Sequence, residues 1–347
     1  MVQTPKQVIL FGSPGTGKSR HVVKVMLPEM DINPDSHDCK RVVFHPEYSY
    51  GDFMGKLMPL TEDEQVQYRF YPGHFMKALA RAYRNLLDAD ESGSIRQVAL
   101  VIDEINRGNS AAIFGSVFQL LDRSSEEKNR GWSEYRVQLS EMEFKALAKL
   151  IGIKEVKIEE EIERYKVGKS EFETKEEIMK KLKIEDRHVM IPPNLSFLAT
   201  MNTSDNSIYH MDAAFKRRWA WQYMDIDSTI VSESEDAFTG REKWEKFVDK
   251  INGFIRYHHR YVRRVEDKQI GYWFLKGDEN ETFYRSEIQN KVMFFLWDSV
   301  FTSSKKPLAE DLFGIDESKL VTFGSFAAKV GDFVEKMQSW NPPQSTR

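Results

Sequence analysis

The sequence predicts an α/β fold: a mostly parallel sheet covered by helices on both faces, followed by a smaller, mainly helical domain. Three observations predict it. Val98–Ile102 is continuously apolar, the pattern of a strand buried on both faces. Apolar strand-like runs alternate along the chain with segments of helical periodicity. A glycine-rich segment, Gly12–Ser19, lies between the first strand and the first helix.

Each element can be read in turn. Gln7–Phe11 is the first strand, and Gly12–Ser19 turns it into a helix ending near Pro28. Arg41–Phe44 is a second strand leading into the aromatic loop His45–Phe53. Pro72–Leu87 reads as a helix with Phe75, Leu79, Ala82 and Leu86 on one face. Val98–Ile102 is the next strand, Ser110–Leu121 a helix, and Asn194–Thr200 another buried strand behind the Pro192–Pro193 breaker. Between Ser124 and Met190 the character changes. Tyr135–Leu139 reads as a short strand, and Glu141–Arg187 is rich in Lys and Glu with apolar residues at helical spacing. Thr174 and Glu177 form a capping-box pattern. This stretch, about 141–187, is expected to be a charged helical insertion, most simply a solvated helix pair. Ser228–Glu235 is a candidate linker, and Arg241–Tyr261 and Ser286–Phe301 read as helices of a second core. The expected domains are 1–228 and 229–347.

The 347 residues carry 50 Lys+Arg against 54 Asp+Glu, a formal net charge of −4. That balance argues against a protein gripping nucleic acid over its whole surface. Cys39 is the only cysteine, which excludes a disulfide framework and a cysteine-rich zinc site. One thiol suits a reducing compartment. No signal peptide or membrane-length apolar run is read, so a cytoplasmic protein with no membrane partner is expected.

Four segments carry chemistry. The loop Gly12-Ser13-Pro14-Gly15-Thr16-Gly17-Lys18-Ser19 matches G-x-x-x-x-G-K-[ST] in full. Its glycines let backbone N–H groups turn inward around phosphate oxygens, and the following helix N-terminus adds positive potential. Lys18 would reach the β- and γ-phosphates, and the Ser19 hydroxyl would ligate Mg²⁺. Second, the strand Val98–Ile102 ends in Asp103-Glu104. Asp103 would hold Mg²⁺ through water, and Glu104 would orient and deprotonate an attacking water. Third, Thr200-Met201-Asn202-Thr203-Ser204-Asp205 closes the later strand, and Asn202 is the candidate sensor of the γ-phosphate. An Asn at a strand end is commonly a turn residue, but here it follows a buried strand. Fourth, Lys216-Arg217-Arg218-Trp219 sits at an expected helix end. Its cations are either partners of the helix dipole or an arginine finger directed into a neighbouring subunit's nucleotide.

Together these segments resemble the McrB family of AAA+ motor subunits in modification-dependent restriction systems. The resemblance is carried by Gly12–Ser19, by Asp103-Glu104-Ile105-Asn106-Arg107-Gly108-Asn109 and by Met201-Asn202-Thr203-Ser204-Asp205. Tyr48–Phe53, Ile191–Leu195 and, more weakly, Gln269–Tyr272 look like further family segments. The resemblance implies an AAA+ P-loop NTPase core with a helical lid, and a hexameric ring that hydrolyses GTP and drives an McrC-like endonuclease. It also implies that Asn202 and Asp205 lie in the signature loop and that Arg217 or Arg218 is the trans finger. DNA would be met through the partner, a separate N-terminal domain or the ring pore. The chain departs from the family in starting almost at its first core strand, in its long charged insertion, and in the ending of the Met-Asn-Thr-Ser-Asp-Asn loop. GTP over ATP follows from the resemblance alone, since no Asn-Lys-x-Asp guanine-reading loop is present. Two readings compete: an ATP-driven protein remodeller, and a nucleotide-gated assembly module with little turnover.

Other constellations carry less. Pro34-Asp35 and Asp38-Cys39-Lys40 are too close together to form a restriction-nuclease metal site. Tyr257–Arg264 mixes aromatics and cations, and is read as a solvated lid helix before a DNA contact. Tyr48 and Tyr50 are expected to pack on the sheet rather than line a ring interior.

Overall fold

The computed structural model describes residues 5–62, 65–88, 94–158, 161–202, 209, 211–224 and 235–342. The chain divides into two compact units, Met1–Ala220 and Trp221–Arg347.

The main sheet has five strands: β1 (Gln7–Gly12), β2 (Cys39–Val43), β3 (Val98–Asp103) and β4 (Leu195–Asn202), all within the first unit, and β5 (Ala220–Tyr223), which begins at that unit's last residue. Their order is β5-β1-β4-β3-β2. The pairs β1/β4, β4/β3 and β3/β2 are parallel. β3 and β4 are buried almost along their length, as continuous apolar strands in the middle of a covered parallel sheet must be. The register sets Gly12 beside Asn202 and Val43 beside Asp103, so the ends of the strands bring the phosphate loop and the acidic pair together. Ligands of open α/β sheets bind at this carboxyl edge.

One face of the sheet rests on aromatic rings. Phe53, Phe114, Phe197, Phe215 and Trp219 are all fully buried, with Phe53 and Phe114 4.7 Å apart and Phe114 and Phe215 5.3 Å apart. Tyr48 stacks on Phe44 at 5.0 Å, and its hydroxyl bonds to His74 Nδ1 at 2.9 Å. The aromatic loop therefore packs on the sheet. The helix His74–Leu87 buries the expected face, and Gly73 at its start lies so close to the Phe53 carbonyl that a Cβ would sit 2.2 Å from the oxygen. Between these elements the chain forms a hairpin, Gly55–Glu62 against Gln65–Pro72.

The charged insertion differs from the helical expectation. Helices Glu141–Ile151 and Lys175–Lys181 flank an antiparallel sheet of three strands, Lys154–Ile158, Glu161–Val167 and Ser170–Phe172. The reason is local. Tyr165 and Val167 are β-formers spaced at two, Val167 and Phe172 are buried, and Gly168 at φ +60° makes the tight turn between strands. The dense Lys/Glu composition masked this alternation. The Thr174 cap is present, its hydroxyl accepting from Glu177 N at 3.1 Å.

In the second unit the helix Arg241–Tyr257 packs Trp244, Phe247, Ile251 and Phe254 into a core with Phe283, Val292, Phe301 and Phe333. Among the described residues no helix is long and apolar enough to cross a membrane.

Candidate active site

The loop after β1 takes the conformation its glycines allow. Gly15 and Gly17 have φ of +82° and +83°, and no atom lies within 4 Å of where a Cβ would stand on either. A side chain would be strained there, and the space it would fill is the space a phosphate chain needs. Gly17 precedes the helical run 18–29. Lys18 is buried at 6% exposure, and its ammonium donates to the carbonyls of Gly12 at 3.0 Å and Ser13 at 2.7 Å. It is thus held inside the loop that a phosphate would enter. Thr16 braces the turn through Ser13 O at 3.0 Å, and Pro14 stands exposed at its tip.

Opposite the loop stands Asp103, the last residue of β3. Its Oδ1 accepts from Ser19 Oγ at 3.0 Å and from Thr200 Oγ1 at 3.0 Å. Its Oδ2 accepts from Arg41 Nη2 at 2.9 Å. A hydroxyl and one carboxylate are hard oxygen ligands suited to Mg²⁺, which keeps several waters and takes substrate phosphates for the rest. Among the described residues no group of three or more His, Cys, Asp or Glu side chains could hold a metal alone. A cation here would therefore depend on phosphate oxygens.

Glu104 sits in the left-handed region at φ +57°, unusual for a residue with a side chain. Three contacts hold it there. Its N–H points to Thr200 Oγ1 at 3.3 Å, Oε1 accepts from Asn202 Nδ2 at 2.7 Å, and Oε2 lies 3.5 Å from Arg107 Nε. The next residue, Ile105, donates its N–H to Thr200 O at 3.0 Å. Strain of this kind is found where a functional carboxylate must be aimed. The residues after Glu104 maintain the bend. Asn106 is buried and donates to Asn202 O at 3.0 Å, and Asn109 caps the helix Ser110–Phe114 through Ala112 N at 3.2 Å.

The structure thus gathers Lys18, Ser19, Asp103, Glu104 and Asn202 at one sheet edge. Asp205 lies outside the described residues. The two arginines differ sharply. Arg218 has an 8% exposed side chain, its Nε and Nη2 converge on Asp122 Oδ2 at 3.0 and 2.7 Å, and its guanidinium stacks over Phe118 at 4.0 Å. Arg217, the last residue of the short helix Ala213–Arg217 that Arg218 follows as C-cap, is exposed. Thr200 and Arg41 were not singled out by sequence reasoning. Thr200 carried a signal, being the polar residue that ends a buried strand. Arg41 carried a weaker one, a cation within a strand.

Two residues of the other sequence segments, Asp38 and His258, have structural roles. Asp38 is 2.6 Å from Arg81 Nε and also accepts from Asn85. Those hydrogen bonds outweigh its burial and hold its carboxyl below the usual range, although burial is the largest single influence. His258 is a core residue at 5% exposure, its ring 4.4 Å from that of Phe254.

Comparison with known proteins agrees with this geometry. Residues 7–219 match the family model described as AAA domain (dynein-related subfamily). The Type II restriction enzyme BsuMI component YdiS of Bacillus subtilis (strain 168) is 29% identical, over 86% of this chain and 80% of that relative. The Type IV methyl-directed restriction enzyme EcoKMcrB subunit of Escherichia coli (strain K12) is 25% identical, over 64% of this chain and 35% of its own length.

Proposed function

Because the chain belongs to the dynein-related AAA family and is an McrB-like AAA+ protein, we propose that it is a Mg²⁺-dependent GTPase motor of a restriction system. In this reading it assembles into a ring, a hexamer by family resemblance, and drives an McrC-like endonuclease against foreign DNA. The observation that carries the reading is the pairing of Glu104 with Asn202 at 2.7 Å beside the Ser19–Asp103 contact. A site that only bound nucleotide would not need an aimed carboxylate on a strained backbone.

The residues divide the work. The loop N–H groups from Gly12 to Ser19 cradle the phosphates, and Lys18 turns from its own carbonyls to the β- and γ-phosphates. Ser19 and Asp103 would hold Mg²⁺, which neutralises charge on the phosphoryl oxygens. Glu104 orients water for in-line attack and takes its proton. Asn202 keeps that carboxylate in position and reports on the γ-phosphate, with Asp205 nearby in the sequence. Arg217 is the trans finger. Arg218 supports it from within its own subunit, because its guanidinium is already committed to Asp122 and Phe118.

The test is phosphate release from GTP and ATP measured side by side with Mg²⁺, with Glu104→Gln as the control. GTP-dependent release that Glu104→Gln abolishes, with nucleotide binding retained, is the expected result. Preference for ATP would move the chain to an ATP-driven remodeller on the same fold. Binding without turnover would make it a nucleotide-gated assembly module.

A further inference from the structure

The contact between Arg41 and Asp103 is not needed for any step above. Arg41 lies on β2, at an edge of the five-stranded sheet, and its Nη2 is 2.9 Å from Asp103 Oδ2. The other carboxylate oxygen is taken by Ser19 and Thr200. The arginine side chain is 44% exposed and the aspartate 15%. A pair this open to water adds little to fold stability. Its place is nevertheless specific, on the carboxylate that would share a divalent cation with Ser19.

We propose that Arg41 is a built-in cationic competitor at Asp103, which weakens the hold of this site on Mg²⁺ and makes metal occupancy the step most sensitive to conditions. The inference rests on the reading of this edge as a Mg²⁺–nucleotide site. Its physics is simple. A guanidinium on Oδ2 neutralises part of the charge that would attract the metal, and a fixed positive charge near a dication repels it. The arm is exposed and lies on an edge strand, so it can swing aside when the metal enters. Arg41 acts in this scheme only through Asp103, the one carboxylate it contacts among the described residues.

The experiment is equilibrium binding of a fluorescent N-methylanthraniloyl GTP to the full chain, first in EDTA and then across a Mg²⁺ titration. It is run on wild type, Arg41→Gln and Arg41→Lys, with melting curves to verify folding. Expected for Arg41→Gln is a Mg²⁺ half-saturation lowered on the order of tenfold, with affinity in EDTA unchanged. Arg41→Lys, which keeps the charge, should return most of the way to wild type. An unchanged or raised Mg²⁺ requirement in Arg41→Gln overturns the inference. So does an equal loss of affinity with and without Mg²⁺, which would make Arg41 a phosphate ligand. If wild type shows no Mg²⁺-dependent binding of this nucleotide or its ATP counterpart, the proposed function itself fails, a result distinct from the others.

Discussion

The carboxamide of Asn202 donates to Oε1 of Glu104 at 2.7 Å, reaching from β4 to the residue that follows β3. The same strand supplies Thr200, whose hydroxyl stands 3.3 Å from Glu104 N and 3.0 Å from Asp103 Oδ1. One strand thus sets the direction of both acids on its neighbour. The aim of Glu104 is a property of sheet register and is vulnerable at β4.

Asn202→Ala should therefore leave nucleotide affinity within about threefold and lower kcat by about 10²-fold, the usual scale for losing a catalytic alignment. Asn202→Asp should be worse, because it sets a second carboxylate against Glu104. Single-turnover phosphate release alongside equilibrium binding checks this. Full kcat in Asn202→Ala would remove Asn202 from its positioning role.

The two arginines should separate cleanly. Arg218→Ala removes an almost buried guanidinium from Asp122 and Phe118. It should cost about 2–3 kcal/mol, read as a melting point lower by several degrees. Arg217→Ala should leave melting unchanged and abolish turnover. Mixing Arg217→Ala with Glu104→Gln subunits then tests the trans geometry. Each variant alone is inactive, but a mixed ring contains sites with Glu104 from one subunit and Arg217 from its neighbour. Activity above either parent is expected, and a finger acting within its own subunit would give none.

Much of this site was legible in the chain, for identifiable reasons. The phosphate loop, Asp103-Glu104 and Asn202 are ends of buried strands, where apolar runs announce the strand and the first polar residue announces the edge. Arg41 was not legible, because a cation on an edge strand looks like any solvated residue until the carboxylate it faces is placed. The hairpin over 55–72 was not legible for a different reason. Val66, Tyr68 and Phe70 do alternate with Gln65, Gln67 and Arg69, but Tyr68 and Val66 are 68% and 60% exposed, so the alternation belongs to no buried face of the main sheet. In the insertion, helical spacing of Lys and Glu over 141–151 is real, but it runs into a sheet whose alternation spans only a few residues.

The second unit should lose stability in acid through His258. Burial pushes its imidazole below the ordinary value of 6.5, against a weaker pull upward from Asp311, whose carboxylate is 3.6 Å from Nδ1. Nε2 is buried and finds no hydrogen-bond partner among the described residues. The unfolded chain thus binds the proton more readily than the folded one. The contribution of this group is intact above pH 6.5 and is lost as pH falls from there through the folded value. Melting between pH 7.5 and 5 should show a smaller acid loss in His258→Gln than in wild type. Parallel curves for the two would exclude His258 as the source.

The last prediction joins stability to the site through Arg123. Its guanidinium donates from Nη1 to the carbonyls of Gly131 at 2.9 Å and Ile191 at 3.0 Å, and from Nη2 to Leu195 O at 2.6 Å. No carboxylate is among these partners, and burial pulls the pKa of the group down to about 9. Two of the acceptors, Ile191 and Leu195, flank the Pro192–Pro193 breaker that leads into β4, and β4 carries Thr200 and Asn202. Arg123→Met would leave several carbonyls short of a donor in a segment with few alternatives, a loss of about 3 kcal/mol. Arg123→Lys should recover only a minor part, since an ammonium cannot reach acceptors spread around a planar fork. Because the start of β4 is the loosened part, turnover in Arg123→Met should fall even at temperatures where the protein remains folded, while phosphate-loop binding of nucleotide persists. Melting curves and kcat measured together decide it. A lower melting point with wild-type kcat would confine Arg123 to the scaffold, and an unchanged melting point would show that water replaces the guanidinium without cost.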